Sequence, residues 1–552
     1  MTERVFGIDL GTTYSAIAYV DETGRPTVCR NIDTMETTPS VVYFENEQNV
    51  VVGTVAKNSA VTYEDRVVSL IKRRMGEDAT YEFDGKEYNP ASISALILKQ
   101  LASDAATHTG GAVDKVVITV PAYFGMLQKD ATKTAGEIAG LDVLGIVPEP
   151  VAAALHYEAT TGADGKTILV YDLGGGTFDT TVITVAGGEI VVVCTDGDDH
   201  LGGADWDERL REYLLEKFVE AVPPGTDVEG DTEFLQDLTK MAETTKQQLS
   251  QTTSRPVAMR GAGAAARIEV TRAQFEELTK DKLDQTIDIV RRTLETLESK
   301  QPGTKIDEVL LVGGSTKMPA VAERLRAEFG WDPKLHDPDL AVAKGAALYA
   351  LGQVVYRQAA EAAPDASPDE IKGRLSGAAE ELASQTGIPA EKLMRIAGKQ
   401  VSNVLPKAFG VKLVDASLPD YQTNPHFYVE HMVHANESLP TGPKPLRVGT
   451  LVDNQRSVEI ELYEQSGTVA GPDMAENRAL TDARDSIQDL PPLPAGSPVD
   501  IMMKVDNEGL LELEATEPTT GKALKINVRV SVMSSEQVEQ AKQVVSGLTV
   551  TG

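Results

Sequence analysis

The sequence predicts an α/β protein of two related halves that face each other, followed by a helical stretch and a β-sandwich. Three observations carry that expectation. A strand–glycine–hydroxyl motif occurs twice, β and α patterns alternate over residues 1 to about 350, and the pattern switches to period-two alternation from Lys407 onward. The motif reads Phe6-Gly-Ile-Asp-Leu-Gly-Thr-Thr-Tyr-Ser15 in its first copy and Val170-Tyr-Asp-Leu-Gly-Gly-Gly-Thr-Phe-Asp179 in its second. In each, an apolar strand delivers an aspartate, a glycine turn follows, and hydroxyl residues lead into a second apolar run. Glycine lets backbone N–H groups approach phosphate oxygens with no Cβ in the way, and threonine adds a hydroxyl donor. Asp9 and Asp172 are the natural pair to hold a hydrated Mg²⁺, an ion that keeps most of its waters and takes one or two carboxylates. A single aspartate before a glycine turn often only satisfies its own backbone. The repeat is what turns the motif into a candidate site.

Composition sets the outer bounds. A chain of 552 residues needs about three domains, because single cores stop growing at about 250 to 300 residues. With 41% hydrophobic and 25% charged residues it reads as globular. The 84 acidic against 52 basic side chains give a net charge of −32, which disfavours nucleic acid and anionic membranes as partners. Cys29 and Cys194 are too few and too far apart for a metal cluster or a disulfide framework, as expected of a reducing compartment. Met1 to Phe6 leads straight into the first hairpin without room for a signal peptide, and no run approaches the roughly 18 apolar residues of a membrane span. The expectation is a cytoplasmic protein.

Along the chain, Val116–Val120 reads as a buried strand ending at Pro121, followed by a helix over 128–139. Leu144–Val147 is a short strand, followed by a helix from Val151 to Tyr157 with Pro150 at its first position. Val309–Val312 repeats the strand pattern, and Pro319 opens the next helix. Residues 360 to 400 become rich in Ala and Glu, with Ser367-Pro-Asp-Glu370 as a capping box and a second helix opening at Ile388-Pro-Ala-Glu391. This extension reads equally as a spacer or a regulatory element. Beyond it, strands are expected at 457–463, 499–505, 510–515 and 524–530, with a hairpin turn at Asp506–Gly509. Residues 534–545 hold one or two amphipathic helical turns capped by Ser534 or Ser535.

The two hairpins, Val120-Pro-Ala-Tyr-Phe124, Glu149-Pro-Val-Ala-Ala-Ala154, Val312-Gly-Gly-Ser-Thr316 and Asp453-Asn-Gln-Arg-Ser-Val458 together resemble the heat-shock protein 70 chaperone family, in a divergent, bacterial-type form. The resemblance implies an actin-like ATPase domain of duplicated ribonuclease H-like halves over 1–355. It further implies a helical extension and linker over 356–402, a β-sandwich over 403–533, and a short helix and tail over 534–552. It implies ATP or ADP with Mg²⁺, and K⁺ as an optional second cation. Implied partners are unfolded or extended polypeptides, a J-domain co-chaperone and a nucleotide exchange factor, in the setting of protein folding under stress.

By the same resemblance Asp9, Gly11, Thr12, Thr13 and Tyr14 grip phosphates from one lobe, and Asp172, Gly174, Gly175, Gly176, Thr177, Gly202 and Gly203 from the other. Lys72, in Leu70-Ile-Lys-Arg-Arg74, matches the catalytic lysine, although a Lys-Arg-Arg triplet by itself reads as a solvated helix end. Glu149 and Asp179 match the acidic positions around water and metal, and either could be the general base. Glu243, Lys246, Gln247 and Ser250 fall at i, i+3, i+4 and i+7, one face of a helix with Leu238, Ala242, Thr245 and Leu249 opposite. Taken alone this is an ordinary exposed face. The resemblance makes Glu243, Lys246 and Ser250 ribose and adenine contacts, with Gly313, Gly314, Ser315 and Asp339.

Three departures from the family stand out. Gln247 and Lys317 occupy the positions of the two arginines that sandwich the adenine, so weaker or less selective nucleotide binding is expected. The linker Val401-Ser-Asn-Val-Leu-Pro406 lacks the aspartates and most leucines of the docking linker, and Lys129 and Gly145 replace interdomain arginines, which puts coupling between ATP and substrate in question. After the β region the family continues with a helical lid, whereas this sequence stops at Gly552, so a client is expected in an open groove that it leaves quickly. Val458 matches the family's central pocket residue, although a valine on an alternating strand reads as core.

The leading expectation is a slowly hydrolysing ATP-dependent chaperone. A nucleotide-sensing adaptor for one dedicated partner is the second reading. A sugar kinase or filament-forming relative, sharing only the two-lobed fold, is the third, and the β-sandwich argues against it.

Overall fold

The computed structural model describes residues 4–362, 368–467, 469–506, 509–528 and 533–552. The repeated motif becomes a repeated sheet. In the first half, Val5–Asp9 and Tyr14–Val20 form an antiparallel hairpin, and Val5–Asp9 pairs in parallel with Lys115–Val120, which pairs in parallel with Asp142–Pro148. In the second half, Lys166–Leu173 and Phe178–Ala186 form the hairpin, and Lys166–Leu173 pairs in parallel with Glu308–Val312. The parallel strands read as continuous apolar runs because both faces are covered. Strand ends and helix starts fall close to the sequence expectations: the helix expected from residue 128 runs Met126–Ile138, and the one expected from Val151 runs Glu149–Thr161, with Pro150 within its first two positions.

Two helices, Glu149–Thr161 and Ala341–Glu361, cross between the halves and share one core with both sheets. The crossing is close because two glycines leave room for backbone. A Cβ on Gly345 would lie 1.7 Å from the carbonyl oxygen of Ala152, and one on Gly7 would lie 2.1 Å from the amide nitrogen of Ala347. Among the described residues no helix is long and apolar enough to cross a membrane.

After Ala341–Glu361 come the helices Pro368–Thr386 and Ala390–Ala397. Ser367, the expected cap of the first, lies outside the described residues. The second starts two residues later than Ile388, with Pro389 in the cap position rather than inside the helix. The linker then does something its side chains gave no reason to expect. Gln400–Ser402 adds a parallel strand to the edge of the second-half sheet, beside Glu189–Asp198. A strand ladder is made by main-chain groups, so the missing aspartates and leucines do not prevent it.

From Phe409 the chain forms two four-stranded antiparallel sheets. They share one apolar cluster that includes Phe409, Val411, Ile460, Leu462, Ile501 and Leu513. The expected strands are found at Val458–Gln465, Pro498–Val505, Leu511–Glu517 and Lys522–Val528, while residues 529 and 530 of the last, and 507 and 508 of the expected hairpin turn, lie outside the described residues. Val458 is half-buried against the cluster.

This β region packs directly on the first-half sheet and helices. Leu127 enters its core, Met126 N–H donates to Glu464 Oε1 at 2.9 Å, and Tyr123 Oη donates to the carbonyl of Gly467 at 2.9 Å. On the second half, Thr195 N–H donates to Asn436 Oδ1 at 2.8 Å, and Lys300 donates to the Asn436 carbonyl at 2.6 Å. Lys129, which stands in place of one of those arginines, is half-buried at this interface. Burial depresses its pKa to about 8, against the pull of Glu464 and with the push of Lys407. A depressed lysine pKa means that the folded state holds its proton less tightly than the unfolded chain between pH 8 and about 10.4, so stability from this group rises through that window. Lys129→Met is therefore expected to exceed the parent in urea midpoint at pH 7, with the gap closing as the pH is taken from 8 to 10.

The last described segment returns to the first half. Ser534 caps Ser535–Ser546 with a reciprocal bond to Gln537, giving three turns where one or two were expected. Val545 and Leu548 are buried in the first-half core, Lys99 Nζ donates to both of their carbonyls at 3.0 Å, and Thr549–Thr551 adds a parallel strand beside Asn49–Val52. The tail foreseen after the helix is thus a strand of a first-half sheet.

Candidate functional site

The two glycine hairpins meet tip to tip. A Cβ on Gly175 would lie 2.0 Å from Thr13 Oγ1, and one on Gly176 would lie 2.3 Å from Thr12 Cγ2, so only glycine permits this approach. Each turn is held from within. Gly11 N–H donates to Ser15 Oγ at 3.1 Å while Ser40 Oγ donates to the Gly11 carbonyl at 2.8 Å, and Gly174 N–H donates to the Thr177 carbonyl at 3.0 Å. Ser315 Oγ donates to the Gly174 carbonyl at 2.9 Å, and the Gly203 and Ala204 N–H groups close on Gly174 and Gly175.

Below the tips lies a cluster of four carboxylates around one ammonium. Lys72 Nζ is 2.6 Å from Glu149 Oε1, and both side chains are buried. Leu70, with left-handed φ of 56°, starts the short helical turn Ile71–Arg74 that puts Ile71 and Lys72 inside. The Lys-Arg-Arg triplet is therefore no solvated helix end. Burial and the neighbouring Glu149 push Asp9 up to about 7, against Lys72 and a 3.3 Å bond from Thr119 Oγ1. Burial, then Glu149, Asp179 and Asp9, raises Asp172 well above the carboxylate range, and burial with Glu149 does the same to Asp179, which accepts from Tyr123 N–H at 2.9 Å. One lysine cannot neutralise four carboxylates, and Asp172 Oδ2 is buried without a hydrogen-bond partner. An all-oxygen set with an excess of negative charge and an unsatisfied carboxylate oxygen fits a hard divalent cation such as Mg²⁺.

Other groups span the halves. Arg73 Nε donates to the Gly176 carbonyl at 2.9 Å and its Nη2 pairs with Asp205 at 2.5 Å, while Asp205 accepts from Gly202 N–H at 2.7 Å. Lys57 pairs with Glu243 at 2.5 Å, and Tyr14 Oη links the two, accepting from Lys57 at 2.9 Å and donating to Glu243 at 3.1 Å. Sequence reading did not single out Lys57, Arg73 or Asp205. Only Asp205 carried a local signal, as the acid of Gly202-Gly-Ala-Asp, in the first turn of the helix Gly203–Ala221, where it accepts from the Gly202 N–H.

The helix face expected to meet adenosine is more self-contained. Lys246 is buried and donates to the Gly203 carbonyl and to Asp207, both at 2.8 Å, and Ser250 Oγ turns back to the Lys246 carbonyl at 3.2 Å. Gln247 is exposed and, among the described residues, reaches only Glu243, at 3.3 Å. Gly313 adopts φ of 83° and donates to the Pro338 carbonyl, Asp339 approaches Gly314, and Lys317 is paired with Asp339. Leu238, Ala242, Thr245 and Leu249 are buried on the opposite side of the helix.

Two related halves that close over a carboxylate cluster with one buried lysine define a two-lobed nucleotide-handling protein. The chain belongs to the Hsp70 protein family, whose model matches residues 5–84, 78–358 and 422–546. Members of this family are ATP-binding chaperones and ATPases of the two-lobed, actin-like fold, which bind Mg²⁺-nucleotide and unfolded polypeptides and work with co-chaperones.

Proposed function

We propose that this chain hydrolyses ATP slowly between its two hairpins and couples that cycle to binding of extended polypeptide by the C-terminal β-sandwich. The buried Lys72–Glu149 pair at the base of the hairpins is the observation that carries the reading. The hairpin glycines and Thr12, Thr13 and Thr177 would cradle the phosphates, and Asp9 and Asp172 would hold Mg²⁺. Bound there, the ion would neutralise phosphate charge as a Lewis acid. Lys72 would stabilise charge on the transferred phosphoryl group. Asp179, raised by burial and fixed by Tyr123 N–H, would accept the proton of the attacking water, with Glu149 orienting Lys72; exchanging these two roles is the alternative assignment. Residues 1–355 would form the ATPase domain, 356–402 the extension and linker, 403–533 the client-binding domain and 534–552 a short helix and tail, in a cytoplasmic protein served by a J-domain partner and an exchange factor. The attachment of the β region at both flanks favours a second reading, an adaptor that senses nucleotide with little turnover.

Single-turnover ATP hydrolysis, measured with and without a reduced unfolded polypeptide, separates the two. Acceleration by polypeptide is expected of the chaperone. Binding without turnover, or turnover indifferent to polypeptide, belongs to the adaptor. Restoring guanidinium stacking by Gln247→Arg with Lys317→Arg is expected to tighten ATP by about ten- to a hundredfold, on the order of 1 to 3 kcal/mol. An unchanged dissociation constant in equilibrium titration would show that the base is not held at these positions.

A further inference from the structure

Away from the hairpins, a cavity of about 830 Å³ lies where the helices Glu149–Thr161, Ala341–Glu361, Pro368–Thr386 and Ala390–Ala397 converge. The Gly24–Pro26 turn and Val401–Asn403, at the linker strand, complete its wall. Its charge is opposite to that of the molecule. Arg25, Lys344, Lys372, Lys392, Arg395 and Lys399 line it together with His156, and no aspartate or glutamate does, in a chain of 84 acidic and 52 basic residues. A lining drawn at the chain's average composition would hold more acid than base.

Carboxylates behind the wall account for part of this charge. Lys399 is paired with Glu158, and Asp337 faces Lys344 at 2.5 Å and His156 Nε2 at 3.7 Å. Lys392 donates to the Thr23 carbonyl, a neutral acceptor. Lys372 has a partner of its own, whereas Arg25 and Arg395 meet no carboxylate among the described residues and leave the lining with a positive surplus. Converging cations repel one another, and a concave wall concentrates their field. The cavity wall also carries neutral polar groups, among them Thr160, Gln353 and Ser402, beside the cations.

We propose that this cavity is a second ligand site, which takes a small polyanion carrying two or more phosphate groups and, when filled, holds the linker strand Gln400–Ser402 on its sheet. The volume is that of small-molecule pockets, and the enclosure by four helices suits a compact anion better than an extended acidic peptide. Lysine and arginine around a concave wall are the usual means of binding phosphate. Because one wall is Val401–Asn403, an anion bridging it to the cations of the extension stabilises the docked linker by as much as it prefers that state. The two extra helices then have a task, to supply Lys372, Lys392 and Arg395.

The test is calorimetric titration of inorganic tripolyphosphate into the full chain saturated with Mg-ADP. One binding event is expected in the parent, weakened at least tenfold in Lys392→Glu/Arg395→Glu, whose side chains lie at the accessible rim, while ADP affinity and the circular dichroism spectrum stay at parental values. Hydrogen exchange of the Val401 and Ser402 amides is expected to slow with tripolyphosphate in the parent and not in the variant. No heat of binding, or equal affinity in parent and variant, overturns the site. Tighter, Lys392- and Arg395-dependent binding of a glutamate decapeptide overturns the small-anion assignment, and unaltered linker exchange at saturation overturns the link to docking.

Discussion

Replacing Lys72 by alanine is expected to slow single-turnover ATP hydrolysis on the order of 10²- to 10³-fold while nucleotide still binds, because the variant loses a positioned charge rather than the phosphate cradle. The same substitution has a second, independent readout. Lys72 is the buried cation among Asp9, Glu149, Asp172 and Asp179, and three of those carboxyls are already raised by burial and by one another. Without it Glu149 is a buried charge with no partner, a loss of about 3 to 5 kcal/mol at pH 8. The carboxyls can escape by taking up protons, and a carboxyl whose folded pKa is raised makes stability fall as pH rises from its unfolded value through its folded one. Thermal unfolding of Lys72→Ala should therefore show its largest deficit at pH 8 and recover toward pH 5.5. Parental turnover, or parental stability at pH 8, would remove Lys72 from the mechanism proposed above.

Glu464→Ala is expected to uncouple the β region from the rest of the molecule. Glu464 is 2% exposed, accepts from Met126 N–H at 2.9 Å, pulls on Lys129 and faces Arg478 at 3.6 Å. Removing it leaves a backbone donor unsatisfied and Lys129 with only the like charge of Lys407 near it. A loss on the order of 3 kcal/mol at this interface should split urea unfolding into two transitions, the β region melting first. A single transition at the parental midpoint would mean that the Leu127 contact, the Tyr123, Thr195 and Lys300 hydrogen bonds and the flanking strands hold the β region without Glu464.

What could be read from the sequence depended on how far apart the interacting residues lie. The hairpins were legible because Asp9 and Thr12, or Asp172 and Thr177, are local neighbours whose spacing itself carries the chemistry. The strands of the β region were legible through strict alternation, as in Val499–Val505. Lys72 was found only by resemblance, since nothing in Leu70–Arg74 announces that a left-handed Leu70 turns the lysine inward. Arg73, Asp205 and Lys57 escaped because each meets its partner across the cleft, and such pairs exist only once the halves have closed. The linker misled in the opposite sense. Its side chains differ from the family's, yet its docking is main-chain pairing, which side-chain identity hardly specifies.

The return of Thr549–Thr551 to the first half changes what kind of machine the molecule can be. The β region is pinned at one flank to the edge of the second-half sheet and at the other to a sheet of the first half. It is thus a span between two supports, not a pendant on a leash. If one pin slips, the other keeps the local concentration of the partners in the range of about millimolar, so recapture outpaces escape. A displacement of one half relative to the other would then reach the β region as shear along its length, because each flank is tied to a different half.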